Sequence, residues 1–296
     1  MPEMTGWEAV VIAMKAEGVP YVFGLPGDPR HLYDALVAAE PDGGPRAIGV
    51  RFETSGAFMA MAYARVTNQL TACFGCPGPG IANLVPGILE AYSGCTPMLV
   101  LGVRASRQTY GRGAFQETDH LAMLSSITKW ATTVEIPENT PWVMRRAIQL
   151  ATSGQPGPVY VELPGDIGMG VSDIPAYTRS VPAPRPAADP AAIAAAAELI
   201  AGVKRPLLIT GGGAILSGAG VMPWPTCRSG SASPSRPRPL AAARWRKPTR
   251  SSADSPGSTG RRFRAGSMNP PICSSPLARA WRSFRADSCP TRREPS

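Results

Sequence analysis

A glutamate among small and apolar residues is the first feature of the sequence that could do chemistry. Glu53 lies in the stretch RFETSGAFMAMAYARV, after a short apolar run and at the start of a helical pattern. Such a carboxyl is poorly solvated, which favours its protonated or proton-sharing form. It could act as a general acid or base, or hold a proton on a ligand nitrogen. The alternative is a helix-start carboxylate stabilised by the helix dipole or paired with Arg51.

A glycine-rich turn is the second candidate. The stretch CPGPGIAN, residues 76–83, follows an apolar run and opens another helical pattern. Its glycines would allow a flat ligand to approach the backbone closely. A phosphate cradle is the other possibility, but the turn lacks the GxGxxG or P-loop spacing and the lysine of such loops.

Cysteine and histidine offer weaker signals. Cys73 and Cys76 have the spacing of redox motifs, but Pro77 and Gly78 follow in place of a helix start. We therefore interpret the pair as small residues at the end of a buried strand. The only histidines are His31 and His120, so we predict no metal site.

Alternating apolar runs and helical patterns position these candidates. They predict an α/β fold, a parallel sheet with helices on both faces, with ligands bound just after Phe23, Arg51, Phe74 and Gly102. The expected strands cover 21–24, 47–51, 70–75, 97–102 and 159–163. Thr5-Gly-Trp-Glu8 has the spacing of a capping box, and the helical pattern after it runs to Gly18. Further expected helices cover 31–40, 54–66 and 81–93, with another from Asn139.

The rest of the chain divides into three parts. Residues 1–170 form the first domain, and the Pro- and Ala-rich residues 171–190 are predicted to be an extended linker. A helix over 191–201, a strand over 206–210 and the turn Gly211–Gly213 begin a second α/β domain that stays incomplete within 191–220.

Residues 221–296 differ from everything before them. They hold 15 of the 30 Lys and Arg residues but only 3 of the 21 acidic ones, and they are rich in Ser and Pro. We expect this basic tail to be disordered. It has no nucleic-acid-binding motif, so we expect no nucleic acid partner. No apolar run is long enough for a membrane span and no signal peptide precedes the domain, so we expect a cytoplasmic protein without a membrane partner.

Taken together, several segments resemble the thiamine diphosphate enzymes of the acetolactate synthase group. The resemblance covers residues 4–220 and rests, in order and spacing, on GVPYVFGLPG, RFETSGAFMAMAYAR, GPGIANLVPGILEAYSGCTPMLVL, GAFQETD, ATSGQPGPVYVELPGD and PLLITGGGA. It implies that residues 1–170 are the pyrimidine-binding domain and that Glu53 hydrogen-bonds N1′ of the cofactor's aminopyrimidine. It also implies decarboxylation and carboligation of small 2-keto acids in a homodimer or tetramer.

The resemblance assigns further residues. Pro77, Gly78, Gly80 and Asn83 match the loop that lies against the pyrimidine. Three others match positions near the substrate, although a solvated loop remains the alternative for them: Phe115, Gln116 and Lys129. The family often has His-Glu-Gln-Gly around its glutamate, whereas this chain has FETSG, which leaves the exact substrate open.

The cofactor's other anchors are not recognisable in the chain. The resemblance implies Mg²⁺ and diphosphate binding through a Gly-Asp-Gly motif, which the 296 residues do not contain. Some members bind FAD near the position of Gly211–Gly213, but we expect no flavin here. We therefore expect the polypeptide alone to be inactive. The alternatives are a related 2-keto acid, benzoylformate-type or oxalyl-CoA-type decarboxylase, or a non-catalytic fragment that dimerises or binds cofactor.

A frameshift near Gly220 would explain the tail. Suitable codons for residues 244–261 and 268–284, read one base earlier, can give LAETHPLFCGLAGLYR and EPADLLIATGSRLEEF. Both resemble the middle domain of the same family. We therefore interpret residues 221–296 as an out-of-frame translation, in the gene or in its sequencing.

Overall fold

The structure, a computed structural model, describes residues 2–27, 29–181, 186–204 and 212–213. The predicted strand over 206–210 and the tail over 221–296 therefore lie outside the described residues, as does Gly211 of the predicted turn at 211–213.

A six-stranded parallel sheet forms the centre of the domain. Its strands lie in the order β3-β2-β4-β5-β7-β6, and every neighbouring pair is parallel. Their bounds are β2 (Tyr21–Gly24), β3 (Arg46–Gly49), β4 (Thr71–Gly75), β5 (Met98–Arg104), β6 (Ala131–Thr133) and β7 (Pro158–Pro164). Two short strands, β1 (Glu3–Thr5) and β8 (Val171–Asp173), form a separate antiparallel pair.

Helices connect the strands and cover both faces of the sheet. They are α1 (Gly6–Ala16), α2 (Arg30–Ala39), α3 (Glu53–Thr67), α4 (Pro79–Ser93), α5 (His120–Leu124), α6 (Thr140–Thr152) and α7 (Gly165–Met169). A further helix, α8 (Pro190–Ala201), follows the last strand in the chain. The apolar sides of α1, α2 and α6 pack with β-strand residues in one core layer. Those of α3 and α4 pack in the layer on the other face. The predicted α/β class with two covered faces is confirmed.

Local sequence explains where the helices begin. Thr5 precedes α1 and forms the predicted capping box: the Glu8 N–H donates to Thr5 Oγ1 at 3.2 Å and the Thr5 N–H donates to Glu8 Oε2 at 2.7 Å. Helix α4 begins at Pro79, whose missing N–H costs nothing in a first turn. This start places Gly78 immediately before the helix, at the carboxyl edge of the sheet.

The predicted boundary at residue 170 needs correction. Residues 171–173 are not linker, because they form β8 and pair with β1. Ile174 is fully buried, and the Tyr177 hydroxyl donates to Glu17 Oε1 at 2.7 Å. The Pro- and Ala-rich composition predicted an extended chain, but an extended chain can also pair with a strand or pack on a domain. The predicted helix over 191–201 is confirmed as α8, which contains no buried residue.

Among the described residues, no helix combines the length and apolarity that crossing a lipid bilayer requires.

Cys73 lies in the middle of β4, where the sheet is covered on both sides. Burial raises the pKa of its thiol to about 12, so almost no thiolate exists at neutral pH. This favours the structural interpretation of the Cys73/Cys76 pair over the redox one.

We predict that iodoacetamide at pH 8 leaves Cys73 unmodified in the folded chain, because the thiol is both inaccessible and protonated. Peptide mass spectrometry would measure this, with the same reaction in strong denaturant as the control that must label Cys73. Labelling of Cys73 at similar rates in the two conditions would restore the redox interpretation.

Candidate functional site

The candidate residues converge at the carboxyl edge of the sheet. The chain moves from β2 outward to β3 and then crosses back to β4, so the strand order reverses between β2 and β4. Loops at such a reversal diverge and leave a crevice, which is where open α/β sheets bind ligands. Glu53 follows β3, and the glycine-rich turn follows β4. The predicted location of the site is therefore the one that the topology favours.

Glu53 is the first residue of α3, and it is 5% exposed. Its position in the first turn brings the carboxylate near the positive end of the helix dipole, which stabilises negative charge. Burial opposes that charge, so hydrogen bonds must compensate for the lost water. The Asn83 side-chain amide supplies one of them by donating to Glu53 Oε2 at 3.0 Å.

Asn83 connects Glu53 to the second helix of the site. Its side chain bonds the carboxylate, while its backbone carbonyl accepts a hydrogen bond from Thr54 Oγ1. These two bonds tie the start of α3 to the first turns of α4. The alternative partner, Arg51, is exposed and forms no ion pair with Glu53 within the described part of the chain. The location of Glu53 at a helix start was predicted correctly, but its hydrogen-bond partner is Asn83 and not Arg51.

The second carboxylate oxygen of Glu53 faces the glycine-rich turn. A Cβ added to Gly80 would lie 3.3 Å from Glu53 Oε1 and 2.9 Å from Cys76 Cβ, so a side chain there would crowd the carboxylate. Among the described residues, no side-chain hydrogen bond to Oε1 is seen. Asn83 thus holds one oxygen, and the other lies against the backbone of the glycine-rich turn.

Gly78 has a backbone that other residues rarely adopt. Its φ is +61° and its ψ is −109°, and a Cβ there would lie 2.8 Å from the carbonyl oxygen of Gln116. Its N–H donates to His120 Nε2 at 2.9 Å. The turn after β4 is therefore packed against the long loop between β5 and α5.

That long loop carries the next two predicted residues. Gln116 has a φ of +54° and supports Gly78 through its backbone, while the neighbouring Phe115 is 79% exposed. Both lie at the same edge of the sheet as Pro77. A cavity of about 230 Å³ opens beside them, lined in part by Trp7, His31, Pro77, Arg104, Ser106 and Phe115. Glu53 does not line it, so we assign the site by the carboxylate and its partners.

Lys129 does not join this group. It precedes β6, and its Nζ donates to the carbonyl of Ser153 at 2.9 Å and to that of Leu150, at the carboxyl end of α6. This places it at the opposite edge of the sheet from Glu53. Burial lowers the pKa of Lys129, in keeping with an ammonium withdrawn from water to cap a helix.

A buried polar chain behind Gly78 was missed in the sequence. His120 Nδ1 lies 3.0 Å from Glu162 Oε2, and the hydroxyls of Tyr160 and Thr133 also reach the Glu162 carboxylate at 2.8 Å each. Glu162 and His120 are 2% and 1% exposed. A signal was available: Glu162 is the only charged residue in the fully buried strand PVYVELP, which requires buried partners.

An ion pair anchors the loop between β5 and α5. Asp166, at the start of α7, accepts from the Arg107 backbone N–H at 2.9 Å and from Arg107 Nε at 2.7 Å. Burial alone would raise the pKa of Asp166, but the hydrogen bonds and charge of Arg107 outweigh it and lower that pKa below its ordinary value.

We predict that Asp166→Asn lowers the free energy of unfolding at pH 7 by about 1 kcal/mol. The effect is small because Arg107 is half exposed and solvent weakens its ion pair with Asp166. The pKa of Asp166 is lower in the folded chain than in the unfolded chain. The stabilisation is therefore fully present above the pKa of an ordinary Asp, and it is lost as the pH falls through the pKa of Asp166 in the folded chain. Urea unfolding at pH 7 and near pH 3 measures both effects. The exposed Asp173→Asn is the control, and equal losses at both pH values would contradict the prediction.

The arrangement can bind a flat, nitrogen-containing ring and control a proton on it. A buried carboxylate oxygen next to a side-chain-free backbone is suited to accept an N–H or share a proton with a ring nitrogen. In the described part of the chain, no group of three His, Cys, Asp or Glu side chains could hold a metal ion. The residues present thus fit the aminopyrimidine half of a thiamine cofactor.

The chain is similar to known thiamine pyrophosphate enzymes. Residues 4–123 match the family model of the N-terminal TPP binding domain of thiamine pyrophosphate enzymes. The chain is 38% identical over 225 residues to a probable acetolactate synthase large subunit of Methanocaldococcus jannaschii, covering 73% of this chain and 37% of that protein.

Two other relatives give the same result. Identity is 40% over 219 residues to the acetolactate synthase large subunit of Parasynechococcus marenigrum, covering 72% of this chain and 35% of that protein. Identity is 35% over 215 residues to the acetolactate synthase isozyme 2 large subunit of Escherichia coli, covering 71% and 38%. The chain thus spans little more than a third of the length of these relatives.

Proposed function

The chain belongs, through its N-terminal TPP-binding domain, to the acetolactate synthase-like thiamine pyrophosphate enzymes, and from this premise we propose that Glu53 and the turn at 77–80 hold the aminopyrimidine of the cofactor. The observation that carries the proposal is the buried Glu53 carboxylate, whose one oxygen is held by Asn83 while the other faces the glycine-rich turn.

Each residue of the site would then have a defined task. Glu53 Oε1 would hold a proton at a ring nitrogen, and Asn83 would keep the carboxylate in the orientation that allows this. Gly78 and Gly80, with Pro77 between β4 and α4, would let the ring lie against the backbone. When bound, thiamine diphosphate supplies the chemistry that breaks the bond next to the carbonyl of a 2-keto acid.

The activity of the whole enzyme is part of the same proposal. We infer decarboxylation of a small 2-keto acid followed by carboligation, because the relatives are named acetolactate synthases. A decarboxylase for 2-keto acids or an oxalyl-CoA-type substrate is the second candidate, since FETSG replaces the more usual residues around the glutamate. Mg²⁺ would be needed for the diphosphate, and FAD would be specific to some complete members.

We also propose that a second copy of the chain covers the exposed side of α3 and α4. Several apolar side chains in or next to these helices are 39% to 52% exposed: Phe52, Phe58, Met59, Leu89 and Tyr92. Unpaired surface of this kind marks an interaction site. Light scattering after gel filtration should give a dimer or tetramer, and a strictly monomeric chain at high concentration would contradict this part of the proposal.

The reading frame determines how the function is tested. We propose that residues 221–296 are translated out of frame and that the native frame continues the middle domain. We also propose that the enzyme works in the cytoplasm. The nucleotide sequence decides the first point: the frameshift is refuted if the codons for residues 240–284, read one base earlier, do not encode a sequence that resembles the family. If they do, restoring the frame yields a longer chain for assay.

We predict no turnover by the 296-residue chain supplied with thiamine diphosphate, Mg²⁺ and pyruvate, because it contains no recognisable diphosphate anchor. The frame-restored enzyme should produce acetolactate under the same conditions. Release of carbon dioxide and acetaldehyde without acetolactate would select the decarboxylase alternative. Acetolactate production by the 296-residue chain would contradict the predicted inactivity.

A further inference from the structure

His120 contacts the proposed cofactor loop from behind, through a chain of buried polar groups. The Gly78 N–H donates to His120 Nε2 at 2.9 Å, and His120 Nδ1 lies 3.0 Å from Glu162 Oε2. The Tyr160 hydroxyl, at 2.8 Å, donates to the same carboxylate oxygen. Tyr160 and Glu162 belong to β7, His120 is the first residue of α5, and all three are buried.

The Gly78 N–H determines the protonation of the whole chain. A backbone amide can only donate, so His120 Nε2 must be an unprotonated acceptor. The ring hydrogen is therefore on Nδ1 and is donated to Glu162. Burial, together with Glu162, raises the pKa of Tyr160 well above its usual value, so its hydroxyl also remains a donor. Glu162 is therefore the acceptor that these groups share, and it also accepts a hydrogen bond from the Thr133 hydroxyl at 2.8 Å.

Gly78 is the residue whose orientation this chain can control. No side chain caps α4 at Gly78, and its φ of +61° places its peptide outside the usual conformations. Its Cα packs against the carbonyl oxygen of Gln116, only four residues before His120. One segment thus holds Gly78 on two sides, with the Gln116 backbone against Cα and the His120 imidazole against the N–H.

We propose that His120 is a positioning residue, which with Glu162 fixes the Gly78 peptide and thereby the turn 77–80 relative to Glu53. The link to Glu53 is short, because a Cβ on Gly80 would lie 3.3 Å from Glu53 Oε1. A small rotation of the turn would therefore change the space in front of the carboxylate. The inference rests on the proposed function in one respect, which is that the space in front of the Glu53 carboxylate binds the pyrimidine.

The first test is the tautomer of His120 in the 296-residue chain without any ligand. The chain has only two histidines, so ¹⁵N labelling of histidine gives two sets of ring signals, and His31→Asn assigns them. We expect an Nδ1-protonated His120 with a coupling from Gly78 to an unprotonated Nε2. A ring protonated on Nε2 would overturn the proposal.

The second test is hydrogen exchange at the Gly78 amide. His120→Leu removes the acceptor and should speed that exchange about ten-fold relative to the amide of Val100 in the distant part of β5. His120→Gln retains an acceptor and a donor and should restore most of the protection. Tyr160→Phe removes one bond to Glu162 but leaves the contact with Gly78 and should have little effect. Unchanged Gly78 exchange in His120→Leu would also overturn the proposal.

The third test separates this inference from the proposed function. Thiamine binding to the wild type, measured by chemical shift changes at Gly78 and Asn83, should weaken several-fold in His120→Leu and recover in His120→Gln. If the tautomer and exchange results hold but thiamine does not bind the wild type, the proposed function fails and the loop-positioning contact stands. If thiamine binds the wild type and His120→Leu equally, the positioning role fails alone.

Discussion

Replacing Glu53 by Gln is expected to lower turnover of the frame-restored enzyme by about 100- to 10,000-fold, the range typical of losing a positioned acid–base group. Gln has the size of Glu and can still contact Asn83, but it cannot exchange a proton with a ring nitrogen. The side chain is buried, so water cannot easily take over that role. The effect should therefore appear mainly in the rate of the chemical step.

Acetolactate formation under saturating substrate and cofactor measures this loss. Glu90→Gln is the matched control, because Glu90 is a half-exposed carboxylate on α4 that forms a surface ion pair with Arg65 at 3.7 Å. The control should keep nearly full activity. If Glu53→Gln also retains activity within a few-fold of the wild type, Glu53 is not the proton-handling group.

Gly78→Ala is expected to destabilise the domain by roughly 2–5 kcal/mol and to abolish cofactor binding. About 1–2 kcal/mol comes from forcing an L-residue to a φ of +61°. Another 1–3 kcal/mol comes from the overlap of the new methyl group with the Gln116 carbonyl, which a Cβ would approach to 2.8 Å. Relief of that overlap must displace one of the two loops that form the site.

Gly113→Ala separates the two contributions. Gly113 has a comparable φ of +73°, but nothing lies within 4 Å of an added Cβ, so this variant measures conformational strain alone. Urea unfolding of the two variants and the wild type gives the comparison. We expect Gly113→Ala to cost about 1 kcal/mol. An equal cost at the two positions would show that the contact between the loops does not constrain the site.

Much of the fold follows from local patterns. The capping box at Thr5, the apolar runs of β2 and β4 and the helical pattern after Glu53 each identify an element within a few residues. The short elements α5, β6 and α7 were not predicted, because three to five residues carry no measurable periodicity. Pairing of β8 with β1 joins residues about 170 apart, and no local pattern can reveal such a contact.

The site was predictable where one segment carries the chemistry. Glu53 and the glycine-rich turn are visible in the sequence because their composition is unusual for a helix start. The contact of Asn83 with Glu53 and that of His120 with Gly78 span 30 and 42 residues, so they depend on how α3, α4 and α5 pack. Lys129 illustrates the converse: its place in the sequence says nothing about which edge of the sheet its ammonium reaches.

The most direct test of the account is whether the 296-residue chain recognises the pyrimidine half of the cofactor through Glu53. Calorimetric and NMR titrations with thiamine and with thiamine diphosphate, for the wild type and for Glu53→Gln, measure it. We predict similar, weak affinities of the wild type for both ligands, because only the ring is held, and at least about a ten-fold loss in Glu53→Gln. Equal binding by the wild type and Glu53→Gln, or no binding by either, would contradict the assignment.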